Sequence, residues 1–184
     1  MYVRMLVGLV NMNPSSKQEV FIETLRSLQC IVRMIHSTEI DEKELVRTIR
    51  ESDIRKWIFT GSPANVYDLE AKIVPAELLD LNDKSMFFIC YSMESILKQL
   101  GYSVVKRDRN IKEEFVLQHS LPGMKNPATL YRNHQYYTPA KEIQCASEYN
   151  GEAMIYFYKN SCMTQFHPEK TDDGKQMLFV WLFQ

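Results

Sequence analysis

The sequence predicts a doubly wound α/β domain with a mostly parallel central sheet, and three observations carry that prediction. A nearly continuous apolar run from Val3 to Val10 reads as a strand buried on both faces, which is how strands of parallel sheets read. Strand-like and helix-like segments then alternate through the first half of the chain, the signature of βαβ units. At 184 residues the chain suits one well-buried domain, 1–184, with no repeat, linker or low-complexity tract to divide it.

After the first strand, Ser16-Lys17-Gln18-Glu19 has the S-x-x-E form of a capping box and follows Pro14 and Ser15. The helix it opens carries Val20, Leu25 and Leu28, then gives way to a strand at Ile31–Ile35. Asp41 to Ser52 predicts a second helix with Leu45, Val46 and Ile49 on one side. Lys56 to Thr60 returns as a strand, and the loop Gly61–Asn65 follows. A helical stretch is expected over Glu77–Leu81. Met86 to Cys90 is a short apolar strand feeding a helix over Met93–Leu100, with Gly101 placed as its stop.

The second half reads differently. Phe115–Gln118, Leu130–Thr138, Glu142–Tyr149, Ala153–Tyr158 and Cys162–Phe166 are strand-like with little helix between them, so additional, partly antiparallel strands are expected there. Asp172 to Phe183 closes the chain as an amphipathic helix.

Composition narrows the function. Net charge is −1, with 22 basic and 23 acidic side chains, so no electrostatic footprint for nucleic acid or an anionic membrane is present. The basic run Lys106-Arg107-Asp108-Arg109 contains an acid and reads as a solvated loop. Every apolar run is too short to span a bilayer and no signal pattern is seen at the N-terminus, so the chain is expected in the cytoplasm. Four cysteines lack metal-ligand or disulfide-framework spacing. With no P-loop, GxGxxG or H-E-x-x-H either, no metal and no cofactor are expected.

Cys90 stands where a buried strand meets a helix. A sharp turn there exposes the side chain above the sheet, and the helix N-terminus favours thiolate and can hold an oxyanion. Taken alone, the segment fits a small buried apolar cysteine at a strand end at least as well. His167-Pro168-Glu169 also follows a strand. Side chains two apart in extended backbone share a face, which places Glu169 beside the imidazole as the third member of a triad. Alone, that tripeptide also fits a surface turn.

Together these segments resemble the class I glutamine amidotransferase family along nearly the whole chain. Ile58-Phe59-Thr60-Gly61-Ser62-Pro63 is similar to its oxyanion strand and Gly-Gly-Pro loop. Phe88-Ile89-Cys90-Tyr91-Ser92-Met93-Glu94 resembles its Gly-x-Cys-x-Gly-Met-Gln elbow. Gln165-Phe166-His167-Pro168-Glu169 matches its Gln-Phe-His-Pro-Glu box at every position. The resemblance implies a flavodoxin-like arrangement of strands and a Cys-His-Glu triad of Cys90, His167 and Glu169. It implies an oxyanion hole at Gly61, Ser62 and Tyr91, and substrate contacts from Glu94, Asn133, Gln135 and Tyr136. The implied reaction is hydrolysis of the side-chain amide of glutamine through a cysteinyl thioester, with ammonia delivered to a separate synthetase.

The sequence departs from that family at three points. Phe88 stands for a glycine at the elbow, so a phenyl ring must be placed either against the thiol or away from it. Ser92 replaces a second glycine, and Glu94 replaces a glutamine. Two alternatives accompany the leading expectation: a γ-glutamyl hydrolase or peptidase of the same fold, and a catalytically silent binding or regulatory module.

Overall fold

A computed structural model describes residues 4–184 apart from 14 and 120, so Val3 and Pro14 of the segments above lie outside the described residues. The main sheet has seven strands in the order β2-β1-β3-β4-β9-β8-β7. These are β1 (Met5–Asn11), β2 (Cys30–His36), β3 (Lys56–Phe59), β4 (Ser85–Ile89), β7 (Ser147–Tyr149), β8 (Glu152–Tyr158) and β9 (Ser161–Thr164). Pairing is parallel from β2 through β9 and antiparallel beyond it. Counting β9 as the fifth parallel strand, the order is the 2-1-3-4-5 of flavodoxin-like sheets, with an antiparallel hairpin added at one edge. Two long strands, β5 (Val105–Leu117) and β6 (Ala128–Tyr137), form a separate antiparallel ribbon.

Neighbouring residues of the central strands feed opposite layers, as the period of two demands. Phe59 and Phe88 pack on one side with α2 (Glu42–Glu51) and α3 (Tyr91–Gln99). Ile58 and Phe87 pack on the other with α1 (Glu19–Ser27), α4 (Asp172–Phe183) and the β5–β6 ribbon. Phe87 meets Trp181 of α4 edge-on at 5.2 Å.

The helix ends follow local chemistry. The Asp41 carboxylate accepts from the Glu44 amide at 2.8 Å and starts α2, which buries Leu45, Val46 and Ile49. Gly101 takes φ +89° after α3, the left-handed position that glycine accepts at no steric cost. Thr171 caps α4 by accepting from Gly174 at 3.2 Å. A Cβ on Gly174 would sit 2.4 Å from the Pro168 carbonyl oxygen, so only glycine lets α4 start this close to the His167–Glu169 turn. Among the described residues no helix is long and apolar enough to cross a membrane.

Three expectations are corrected. The capping box does not form: the Ser16 hydroxyl accepts from the Gln18 amide, and Gln18 adopts φ 54° while its side-chain amide reaches Asn11. Helix α1 therefore begins at Glu19 without a side-chain cap. Glu142–Tyr149 is mostly not strand; a 3-10 turn at Ala140–Glu142 precedes a three-residue β7. The helical stretch expected at Glu77–Leu81 is present as a 3-10 helix over Ala76–Asp80. Lys106–Arg109 is not a solvated loop but lies within β5, where Arg107 pairs with the buried Glu152.

Candidate active site

The carboxyl ends of β1, β3, β4 and β9 meet at one edge of the sheet, the edge where open α/β sheets carry their sites. A cavity of about 450 Å³ opens there, lined among others by Gly61, Ser62, Cys90, Glu94, Asn133, Gln135, Tyr136, His167 and Glu169. Nine of the ten residues singled out by the sequence thus share one cavity. The tenth, Tyr91, is buried beside it and sends its hydroxyl to the Lys72 carbonyl at 2.8 Å.

Cys90 is the residue between β4 and α3, and its backbone lies at φ 51°, ψ −111°. A non-glycine residue in such a conformation costs on the order of 1–3 kcal/mol and persists only where the surroundings enforce it. Here the Cys90 amide donates to the Thr164 carbonyl of β9 at 2.7 Å, and its carbonyl accepts from the Glu94 amide at 3.0 Å. The thiol donates weakly to the Asn133 carbonyl at 3.7 Å. Burial pushes the thiol up, His167 and the Tyr91 amide pull it down, and the Glu94 carboxyl pushes it up again.

His167 and Glu169 flank Pro168 just after β9. The His167 amide donates to the Tyr131 carbonyl at 2.8 Å, and the imidazole Nδ1 lies 3.1 Å from Glu169 Oε1. With Nδ1 engaged by the carboxylate, Nε2 is buried and has no hydrogen-bond partner among the described residues. Burial works against a charged imidazole, yet Cys90 on one side and Glu169 on the other hold it well above its usual range. One side of the site is closed by Gly61, where a Cβ would come within 2.9 Å of His167 Cε1 and 3.4 Å of Cys90 Cβ.

The family departures are resolved by the fold. Phe88 points away from the thiol, is fully buried, and packs on Phe59 with ring centroids 4.9 Å apart. Ser92 turns its hydroxyl to the Thr60 carbonyl at 2.6 Å, tying α3 to the strand that leads to Gly61. Ser62 does not adopt positive φ, so the oxyanion loop needs no glycine there; its hydroxyl accepts from the Ala64 amide. Glu94 is 3% exposed, and burial pushes its carboxyl up to about 8 against the opposing pull of the Gln165 hydrogen bond and of His167.

Three features were not read from the sequence. Gln165 donates to Glu94 Oε1 at 2.8 Å and lies 4.0 Å from Cys90 Sγ, although its place in the pentapeptide was visible. Asn110 on β5 donates to the Asn133 side chain at 2.8 Å. Beneath β6, the fully buried Glu152 pairs with Arg107 and Arg132, and its Oε2 lies 3.4 Å from Nε2 of the His134 imidazole, which burial pushes down to about 4. The imidazole Nδ1–H of His134 donates in turn to the Tyr136 carbonyl at 2.7 Å, which fixes the backbone of the cavity wall.

Fold and site together define a doubly wound α/β domain with a Cys-His-Glu constellation above the carboxyl edge of its sheet. The chain belongs to the glutamine amidotransferase class-I family, whose model matches residues 10–184. A glutamine-hydrolyzing GMP synthase of Acetivibrio thermocellus is 28% identical over 148 residues, covering 74% of this chain and 29% of that protein. One from Finegoldia magna is 25% identical over 165 residues, 82% of this chain and 32% of that protein. The chain therefore spans about a third of the length of these curated relatives.

Solved structures agree on the fold. A candidate GMP synthase subunit from Thermoplasma acidophilum superposes with TM-score 0.79 at 17% identity, over all of this chain and 94% of that one. A glutamine amidotransferase of Thermotoga maritima gives TM-score 0.66 at 11% identity, over 98% and 83% of the two chains.

Proposed function

We propose that this chain is a glutaminase that releases ammonia from glutamine through a thioester on Cys90 and delivers it to a synthetase outside these 184 residues. The observation that carries the reading is the convergence at one cavity of a strained strand-to-helix cysteine and a histidine held 3.1 Å from a glutamate. Family membership and the glutamine-hydrolyzing GMP synthases among its relatives support it.

In this reading Cys90 Sγ passes its proton to His167 and attacks the side-chain carbonyl carbon of glutamine. The resulting oxyanion is held by backbone N–H groups of Tyr91, at the positive end of α3, and of the Gly61–Ser62 loop. The tetrahedral intermediate collapses with cleavage of the C–N bond, and His167 gives its proton to the nitrogen, which leaves as ammonia. Water then loses a proton to His167 and attacks the thioester, and glutamate departs as Sγ is reprotonated. Glu169 fixes the imidazole tautomer and balances its charge. Asn133, with the backbone at Gln135 and Tyr136, receives the amino-acid end of the substrate, and the hydrogen bond from His134 to the Tyr136 carbonyl positions that segment.

The test is glutamate release from glutamine by the purified chain and by its Cys90→Ala variant, together with labelling by a chloroketone analogue of glutamine. Release lost in the variant, or stoichiometric labelling at Cys90, is expected. A chain that neither releases glutamate nor labels at Cys90 refutes the reading and leaves the silent module. Preferential cleavage of γ-glutamyl peptides instead identifies the γ-glutamyl hydrolase.

A further inference from the structure

Glu152 opens β8, is fully buried beneath β6, and is met there by two arginines. Arg132 lies 3.3 Å from Oε1 and is gripped at its other terminal nitrogen by Glu113 at 2.6 Å. Among the described residues Glu152 is the one carboxylate paired with Arg107. Arg107 begins an irregularity in the ribbon. Pairing passes from Lys106 opposite Tyr136 to Ile111 opposite His134, so residues 107–110 stand opposite the single residue Gln135. Asp108, Arg109 and Asn110 of this bulge are exposed. The bulge nevertheless reaches the cavity, where Asn110 donates to the Asn133 side chain at 2.8 Å, and Gln135 Nε2 donates to the Arg107 carbonyl at 3.2 Å. The apolar anchors of the ribbon, Phe115, Leu117, Ala128 and Leu130, all lie at its other end.

Bulges beside active sites re-aim side chains, but holding exposed residues in one conformation costs entropy that apolar contacts do not offset here. A buried ion pair adds little stability over apolar residues of the same volume. It does dictate direction, because a carboxylate fixed on β8 sets where the planar guanidinium must lie. We propose that Glu152 is a positioning residue for glutamine binding: through Arg107 it clamps the β5 bulge against the cavity and so sets Asn110 against Asn133 before the substrate enters. The inference rests on the glutaminase reading. Its structural basis is that β8 belongs to the sheet that carries Cys90 and His167, whereas Asn133 belongs to the separate ribbon. The clamp joins the two at the end of the ribbon where no apolar anchor does, and it holds the two walls of the cavity at a fixed separation.

The experiment measures kcat and KM for glutamate release, and in parallel the glutamine concentration that half-protects Cys90 from iodoacetamide, read by intact mass and independent of turnover. Glu152→Gln takes the carboxylate from both arginines and risks the fold, so Arg107→Met, which leaves Glu152 paired with Arg132, is made beside it. In Arg107→Met, KM and the half-protecting concentration should rise about tenfold, the scale of one ordered hydrogen bond lost, while kcat stays within about twofold. Arg107→Lys returns a charge to Glu152 and should recover most of that loss. Asn110→Ala should match Arg107→Met, and the double variant should be no worse than either, because both act through one bulge. Unchanged KM and protection in Arg107→Met, losses that multiply in the double variant, or a fall in kcat alone that tracks the urea midpoint would each refute the positioning role. The glutaminase reading survives those outcomes, since glutamine still turns over or protects in wild type. If glutamine does neither in wild type, the glutaminase reading fails and the inference falls with it.

Discussion

Replacing Glu94 by glutamine should stabilise the fold, and by an amount that grows with pH. The carboxyl is pushed up to about 8 in the folded chain from its ordinary 4.5, burial being the largest cause. A carboxyl whose folded value is raised favours the folded state in its protonated form. Its contribution is fully present below about 4.5 and is lost as pH rises towards 8. Linkage puts that loss at about 1 kcal/mol near pH 5 and about 3 kcal/mol at pH 7. Glutamine keeps the shape and a hydrogen-bonding group for Gln165 but does not ionise. The other titratable groups around the position, Cys90, His134, His167 and Glu169, are present in both proteins and cancel to first order. Urea unfolding of the two proteins at about pH 5, 6, 7 and 8 checks this. The stability difference should widen by about 1.4 kcal/mol per pH unit across that window and flatten above it. A difference that does not change with pH would show that Glu94 ionises at an ordinary value, and the account of its burial as the cause of the shift would be wrong.

Two further outcomes follow from the same geometry. Phe88→Ala, which moves towards the small residue of related elbows, should cost about 3–5 kcal/mol in chemical denaturation, because the ring fills the layer beside Phe59; a gain in glutaminase activity without loss of stability would mean the ring crowds the thiol after all. Gly61→Ala places a methyl group 2.9 Å from His167 Cε1, so kcat should fall by about a hundredfold through displacement of the imidazole while unfolding shifts by less than about 1 kcal/mol; unchanged kcat would remove Gly61 from the site.

The parts of the fold visible in the sequence were those where burial is two-sided or a cap is local. Lys56–Phe59 and Ser85–Ile89 are central strands with apolar residues on both faces, and Asp41 and Thr171 announce their helices within four residues. The β5–β6 ribbon was harder to read. Residues 105–114 are mostly exposed and charged, so no apolar alternation marks them, and their pairing is set by a partner strand some twenty residues away. Separation along the chain also hid the Glu152 cluster, since Arg107 and Arg132 look like surface charges until the chain brings a carboxylate beneath them. At Gln18 a local rule lost to a tertiary contact, the hydrogen bond to Asn11. In the site, Cys90, His167 and Glu169 were legible from the resemblance because their motifs are tied to strand ends. Gln165 was in plain sight within the same pentapeptide, yet its partner Glu94 lies 71 positions away and nothing local connects them.

The placement of β9 has a consequence for biosynthesis. This strand is the last of the described strands in chain order, yet it fills the slot between β4 and β8 and carries His167 and Glu169 at its exit. A nascent chain that has emerged through β8 already displays Cys90, but His167 and Glu169 are not yet made. The apolar flank of β4 is then an unpaired edge, open to strands of other chains until β9 arrives. Vectorial synthesis therefore keeps Cys90 without His167 and Glu169 until the strand that seals the sheet has been made.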